Sequence, residues 1–361
     1  MELAVEQTSN GNSTVRLGRL TGYDEPIALT FKDQSLPPQR VLDGWLMAAL
    51  PLAMSTGEPL HIRGTITGAA LRNATAYQEA WGNLRPEMYR PVTLTADAVR
   101  DGSVWTRRPK AISTYSGGMD GSFTALRNRG EPGRYDIGAL LLLDIDVIGN
   151  EHRDFARLHE RIRPFPESLG LPLRVLHVDR GPLGQVNWHL SHAAEIAGFL
   201  HQYAEHFGHG LIASTDPYSH PVPSMGSQPQ LDYLLSGSDF GVVHDGAGFS
   251  RTQKAELLAT NDVVRRLLQV CWQGPDRAEN CGVCLKCLLT QLNFAAVGAR
   301  DLPVFGRLDL DRVRNLRSYS ESATVALEIL VEYARARGDT SEWVDVLGER
   351  VASFRRGENL G

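Results

Sequence analysis

Two short stretches hold the residues best suited to chemistry. The first is Ser116-Gly117-Gly118-Met119-Asp120-Gly121-Ser122, which follows the apolar run Ala111–Tyr115 and precedes a helix-compatible segment. A strand, a glycine turn and a helix N-terminus together make an anion site. The helix dipole and its free backbone N–H groups converge on the ligand there. The glycines let the backbone approach phosphate oxygens closely and adopt positive φ. Ser116 and Ser122 supply hydroxyl donors. Asp120 would repel a bare phosphate, so its presence implies a bridging Mg²⁺. The spacing fits neither G-x-x-x-x-G-K-S/T nor G-x-G-x-x-G, which excludes a Walker loop and the dinucleotide fingerprint.

The second stretch holds every cysteine of the chain: Cys271, Cys281, Cys284 and Cys287. The spacing C-x9-C-x2-C-x2-C, with Gly282 inside the knuckle, suits a tetrahedral thiolate site, and soft sulfur ligands favour Zn²⁺. With all four positions filled, zinc is structural and pins the segment around Trp272 to a helix starting near Cys287. An iron–sulfur cluster is the alternative. No apolar leader opens the chain, so clustered cysteines point to metal rather than disulfides, and the expected compartment is the cytoplasm.

These residues need elements to hold them. Short apolar runs at Ala111–Tyr115, Ile137–Ile145, Leu173–Val178, Gly210–Ser214 and Phe240–His244 read as strands. Helices are expected between them at Ser122–Asn128, Asp154–Leu169, Trp188–Phe207 and Pro229–Leu235. Strand–helix alternation with continuous apolar strands predicts a parallel sheet covered on both faces. Ligands then bind at the C-terminal edge of that sheet.

Before this region, Ile27–Phe31, Leu60–Ile66 and Val92–Ala96 read as strands and Val41–Ala53 as a buried helix. They predict a small α+β domain over residues 1–107. Thr106–Lys110 is the expected linker, because Pro109 disfavours helix before it. Residues 300–361 read as a helical extension. Its helices are Glu321–Arg337, closed by Gly338, and Ser341–Phe354.

The 361 residues are 42% hydrophobic and 22% charged with a formal net charge of −5, the profile of a globular protein with no strong attraction to nucleic acid. The longest apolar stretch, Val41–Met54, is shorter than the roughly 20 residues of a membrane span.

The loop resembles the S-G-G-x-D-S signature of the PP-loop ATP pyrophosphatases. Gly121 stands where that family usually has serine, with Ser122 one residue later. A C-terminal four-cysteine cluster is similar to that of the branch containing 7-cyano-7-deazaguanine synthase. The resemblance spans residues 111–297. It implies a Rossmann-like PP-loop fold over residues 108–299, with ATP and Mg²⁺ at Ser116–Ser122 and structural zinc at the cysteines. It also implies adenylation of a small-molecule carboxylate or amide, release of pyrophosphate, and displacement of AMP by ammonia or an amine. A C–N-forming ligase is thus the expected activity, and a nucleotide-binding module with weakened catalysis, or modification of a protein or tRNA, is the rival.

In such enzymes a lysine at the start of a late helix faces the phosphates, which nominates Lys254, with Arg251 beside it, to stabilise charge on leaving pyrophosphate. With all four cysteines on a metal, none remains to carry sulfur. The loop Ser214–Asp232 follows a strand end where substrate loops lie, so Asp216 and Asp232 are substrate candidates. So are His244 and Asp245, at the end of the last strand. Lys286 reads as a solvated surface lysine. His189, His192, His201, His206 and His209 read as non-ligands. Residues 1–107 are left to complete the pocket or to form a homodimer interface.

Overall fold

The structure is a computed structural model and describes residues 1–102, 109–130, 132–146, 155–220, 225–271, 278–300, 302–317 and 320–358. The chain opens with a hairpin. β1 (Glu2–Asn10) pairs antiparallel with β2 (Ser13–Leu20), from Leu3↔Leu20 to Asn10↔Ser13. Gly11 and Asn12 form the two-residue turn, and Gly11 takes the positive φ of 57° that such a turn needs. β3 (Ile27–Phe31) runs antiparallel to β2. Then come α1 (Asp43–Thr56), β4 (Leu60–Thr67), α2 (Gly68–Leu84) and β5 (Leu94–Arg100). β4 lies parallel to both β1 and β5. Every residue of α1 from Asp43 to Met54 is buried. A helix with no polar face belongs inside the molecule.

The second half alternates as the sequence predicts. Its strands are β6 (Lys110–Thr114), β7 (Asp136–Ile145), β8 (Leu173–Asp179), β9 (His209–Ala213) and β10 (Gly241–Asp245). Its helices are α3 (Met119–Arg127), α4 (Phe155–Ile162), α5 (Pro164–Ser168), α6 (Trp188–His201), α7 (Arg251–Ala259) and α8 (Asp262–Leu267). The five strands are parallel in the order β10-β9-β6-β7-β8. On one face Leu140, Leu142 and Leu211 pack with Phe123, Ile162 and Phe165 of α3, α4 and α5. On the other, Ala139, Leu141 and Ile212 pack with Ala193, Ala197 and Leu200 of α6. The chain therefore winds both ways from β6, and the order reverses between β6 and β9. In a doubly wound sheet the ligand crevice opens outside the strand C-termini at that reversal.

The sheet does not stop at residue 107. β3 pairs antiparallel with β8, from Ala28↔Asp179 to Thr30↔His177, giving one ten-stranded, mostly parallel sheet, β10-β9-β6-β7-β8-β3-β2-β1-β4-β5. The core crosses the same line. α1 packs so closely on α6 that a Cβ on Gly198 would lie 2.5 Å from the carbonyl oxygen of Gly44. The buried Arg16 of β2 donates to the Gln202 carbonyl at 2.9 Å and to Gln202 Oε1 at 3.1 Å. The sequence reading of a small α+β unit standing before the parallel sheet thus describes strands that extend that sheet. Of the expected linker, residues 106–108 lie outside the described residues, and Lys110 begins β6.

Four helices complete the chain: α9 (Leu285–Ala296), α10 (Leu310–Arg314), α11 (Glu321–Ala336) and α12 (Glu342–Arg355). Leu327, Leu330, Trp343 and Leu347 of α11 and α12 close over Leu288, Leu289 and Leu292 of α9.

Some elements differ from expectation for local reasons. The helix expected over 154–169, whose residue 154 lies outside the described residues, is two helices: Arg163 is still helical, but Pro164 and Pro166 have no N–H with which to continue the hydrogen-bond ladder. The helix expected to reach Phe207 ends at His201. Pro229–Leu235 yields only a 3₁₀ turn at Asp232–Leu235. α3 begins at Met119, three residues before expectation, since Gly118 rather than a later residue is its N-cap. No helix of the described residues is long and apolar enough to cross a membrane.

Candidate functional site

The glycine loop sits at the C-terminal end of β6, beside the reversal. Gly117 has φ 83°, and a Cβ there would lie 2.7 Å from Ile162 Cγ2 and 3.2 Å from Gln269 Cβ. The Gln269 N–H donates to the Gly117 carbonyl at 2.9 Å, so the loop is pinned from outside. Gly118 caps α3 in extended conformation without a side-chain hydrogen bond. The first N–H groups of α3 therefore remain open to a ligand. They face a cavity of about 260 Å³ lined by Ser116, Gly118, Met119, Asp120 and Gly121. Thr215, just after β9, and Arg251 of α7 form the opposite wall, with Lys286 and Thr290 of α9 beside Cys271.

Asp120 carries the charge at the helix N-terminus. Lys254 Nζ donates to Asp120 Oδ1 at 2.8 Å and Arg251 Nη2 to Asp120 Oδ2 at 3.2 Å. Burial pushes the Asp120 carboxyl up, but Lys254 and then Arg251 outweigh it and hold the group below its ordinary value. α7 delivers both cations from a capping box, in which Ser250 accepts from the Gln253 N–H and Gln253 reaches back to the Ser250 N–H.

The sequence reading placed Lys254 facing phosphate. Its side chain is instead only 1% exposed, with Nζ also donating to the Ser214 carbonyl, and it is not among the residues lining the cavity. Lys286, read as a plain surface lysine, does line it. Lost hydration and then Arg251 lower the Lys286 ammonium, against Asp120. The sequence signal for Lys286 was its place in the first turn of the helix that begins in the cysteine knuckle.

The serines divide. Ser116 lines the cavity, whereas Ser122 is buried and donates to the Gly118 carbonyl at 2.8 Å. A Cβ on Gly121 would lie 3.2 Å from the Thr114 carbonyl oxygen, so position 121 points at the end of β6. Ser122 thus does not stand in for a hydroxyl at 121.

The last strand and its neighbours form a second group. Asp245 is buried, accepts from Thr124 Oγ1 at 2.8 Å and Asn128 Nδ2 at 3.2 Å, and ties α3 to β10. Asp245, expected as a substrate residue, is not among the residues lining the cavity. His244 points to the opposite sheet face, with Nδ1 2.8 Å from Asp232 Oδ2. Asp232 is fully buried and also accepts from Ser227 Oγ at 2.6 Å and the Gln228 N–H at 2.9 Å. Asp216 accepts from Ser322 Oγ of α11 at 3.0 Å. Burial pushes its carboxyl up, opposed first by Arg251. Of the helical histidines, His192 Nδ1 meets the Trp188 carbonyl at 3.1 Å and His201 Nε2 the Leu235 carbonyl at 2.9 Å. Among the described residues, none of His189, His192, His201, His206 and His209 joins a metal cluster.

The cysteines converge as expected. Their four Sγ atoms lie within 4.8 Å of one another. Cys271–Cys284 and Cys281–Cys287 are each 3.9 Å apart, and the Cys284 N–H points at Cys281 Sγ at 3.3 Å. Four sulfurs bound at about 2.3 Å around one tetrahedral ion stand about 3.8 Å apart. Ligands of a cluster bind separate irons and spread wider. The donor set fits a single thiophilic ion. A hydrogen bond from Cys287, opposed by burial, brings the Cys284 thiol down to about 5, so one thiolate forms readily at the N-cap of α9. Asn280 braces the site: its Oδ1 accepts from the Val270 and Cys271 N–H groups at 2.9 and 3.1 Å. Trp272 lies outside the described residues.

Comparison with protein-family models, with curated proteins and with solved structures yields no match for this chain.

Proposed function

We propose that the chain is an ATP-dependent enzyme of PP-loop type, which adenylates a small-molecule carboxylate or amide and passes the acyl group to ammonia or an amine. The observation that carries this reading is the cavity at the strand-order reversal, into which the uncapped N-terminus of α3, Arg251 and Lys286 all face. Three features there suit a phosphate chain: free N–H groups, a hydroxyl at Ser116 and two cations. Asp120 fits the role of a carboxylate beside a divalent ion, since its side chain is 20% exposed on the cavity side. Mg²⁺ held there would screen phosphate charge and withdraw electrons from the α-phosphorus.

The protein's own groups do the rest. Arg251 is 20% exposed and holds Asp120 through one nitrogen, so it can turn its guanidinium toward phosphate oxygens as pyrophosphate leaves. Lys254, enclosed behind Asp120, fixes that carboxylate and so acts as a positioning residue. The four thiolates fit zinc, which would supply no reaction chemistry but would join the wall carrying Cys271 to α9.

The rival is an ATP-binding module with weakened turnover. It is favoured by one specific observation: neither position 121 nor position 122 presents a hydroxyl to the cavity. Exchange of labelled pyrophosphate into ATP, screened over a panel of carboxylic acids, separates the two. Acid-dependent exchange supports the enzyme. Tight Mg-ATP binding in calorimetry with no exchange from any acid leaves the binding module. Absence of ATP binding would sink both.

A further inference from the structure

A second cavity, of about 190 Å³, lies against a different face of α9 from the phosphate cavity. Lys286 and Thr290 line the first, Gln291 and Ala295 the second. The new cavity opens at the seam between two cores. Leu302 packs in the core on one face of the sheet, with Phe165 and Phe294, whereas Leu308 and Trp343 pack with α11 and α12. The wall joining them is a short loop. In it the Phe305 N–H donates to the Leu302 carbonyl at 3.1 Å, and Gly306 follows with φ 74°, which glycine adopts without strain. The loop rests on the cysteine knuckle, where a Cβ on Gly282 would lie 2.9 Å from the Phe305 carbonyl oxygen. Gln291 Nε2 closes the corner by donating to the Gly282 carbonyl at 3.2 Å.

Arg300 and Arg307 line this cavity from the two ends of that loop. Neither forms an ion pair among the described residues, and Arg300 spends one nitrogen on Ser341 Oγ at 2.9 Å. The next two arginines are paired, Arg312 with Asp309 and Arg314 with Asp311 and Glu342. Those pairs also occupy Asp309 and Glu342, the acids beside Leu308 and Trp343. Among the described residues no acid lines the cavity. Trp343 is 5% exposed, and its indole N–H meets no partner among the described residues. Gln291 Oε1 is likewise unpaired, and its amide keeps a second N–H, so that side chain serves donors and acceptors alike. The two arginines therefore set the charge of the ligand.

We propose that this cavity binds a small carboxylate with an apolar body of aromatic size, at a site separate from the phosphate cavity. A guanidinium matches a carboxylate with two parallel N–H···O bonds and is weakly hydrated itself. Leu302, Leu308 and the indole of Trp343 give apolar surface to the rest of the molecule, which an inorganic anion would leave unused. The space far exceeds what one water needs. A cation there meets two like charges. Binding at this site requires neither ATP nor adenylation.

Benzoate is the probe, added to the full chain labelled with nitrogen-15. The readout is the indole N–H signal of Trp343, assigned with Trp343→Phe. The expected result is a saturable shift with benzoate and none with benzyl alcohol or benzylammonium. Inorganic phosphate should bind at least tenfold more weakly. Arg307→Gln and Arg300→Gln should each weaken benzoate about tenfold, the worth of one charged hydrogen bond. Both side chains are exposed, and the remaining indole signals report that the variants keep the fold. No saturable shift with benzoate overturns the proposal. Equal responses to benzoate and benzyl alcohol reduce the site to an apolar gap and overturn it too. Phosphate binding as tight as benzoate leaves only a basic surface patch. Shifts confined to the amides of Met119, Asp120 and Gly121 place benzoate in the phosphate cavity instead. Mg-ATP, followed at those same amides, tests the adenylation reading independently, so either can fail alone.

Discussion

Asp120 joins fold and function at a single side chain. Because Lys254 is enclosed with it, Asp120→Asn leaves an ammonium among neutral partners and the like charge of Arg251. Removing one member of such a buried pair costs about 3 kcal/mol or more. Urea denaturation should show this loss, and Asp120→Asn combined with Lys254→Met should recover part of it. A double variant no more stable than the single one would refute the pairing. The carboxyl is held below its ordinary value, so its contribution is complete above the unfolded-state pKa and fades as pH falls through the folded one. Stability of the wild type should therefore drop more steeply on acidification than that of Asp120→Asn. Arg251→Ala is the complementary case. Its side chain lies at the cavity wall, so the substitution should leave the melting temperature nearly unchanged and weaken ATP binding about tenfold, read by calorimetry. Unchanged affinity would exclude Arg251 from the phosphate site.

At the scale of elements, the glycine loop and the cysteine knuckle are held by the same short segment. The Gln269 N–H donates to the Gly117 carbonyl, and two residues on Cys271 belongs to the four-cysteine cluster that could hold a metal. Gly117→Ala forces a Cβ into Ile162 at positive φ and should destabilise the protein by about 1–3 kcal/mol in urea denaturation while abolishing ATP binding. The purified protein should carry one zinc per chain by elemental analysis, and Cys281→Ser should lose it and melt at lower temperature. Iron with brown colour would contradict the single-ion geometry.

Much at this scale was legible in the sequence. β6 to β10 announce themselves as apolar runs, and α11 and α12 as helical segments, the first closed by Gly338. The β1–β2 hairpin was missed although Asn10-Gly11-Asn12 marks it, because its strands are largely polar and half exposed. In the site, residue types located the glycine loop at the end of β6 and the cysteines that cluster, since both are local in sequence. The directions of Lys254, Ser122, Asp245 and Lys286 were not legible. Each depends on a partner more than 90 residues away or on which helix face meets the sheet.

For the whole molecule, the junction between β3 and β8 decides what folds as a unit. Residues 1–102 supply half the strands of the sheet, and α1 fills the face against α6. A fragment beginning at residue 109 exposes the edge of β8 and the apolar face of α6. It should be insoluble or lack a cooperative transition by circular dichroism, whereas the full chain should unfold these strands in one step. A soluble fragment with sharp unfolding would show that the sheet is two units after all. The buried ion pair of Arg180 with Glu195, both oxygens at 2.8 Å, sits where β8 hands over to α6. Glu195→Gln should cost about 3 kcal/mol there, again by urea denaturation.

The same junction has a consequence for a chain still being made. β3 waits for its partner strand until about 150 further residues have been added, which at about 5–20 residues per second takes roughly 8–30 s. α6, the cover for α1, arrives later still. Throughout that interval the nascent chain displays an open strand edge and a helix that is apolar on every side. The N-terminal third is thus the part of this protein most exposed to capture by its neighbours or by a chaperone while it leaves the ribosome.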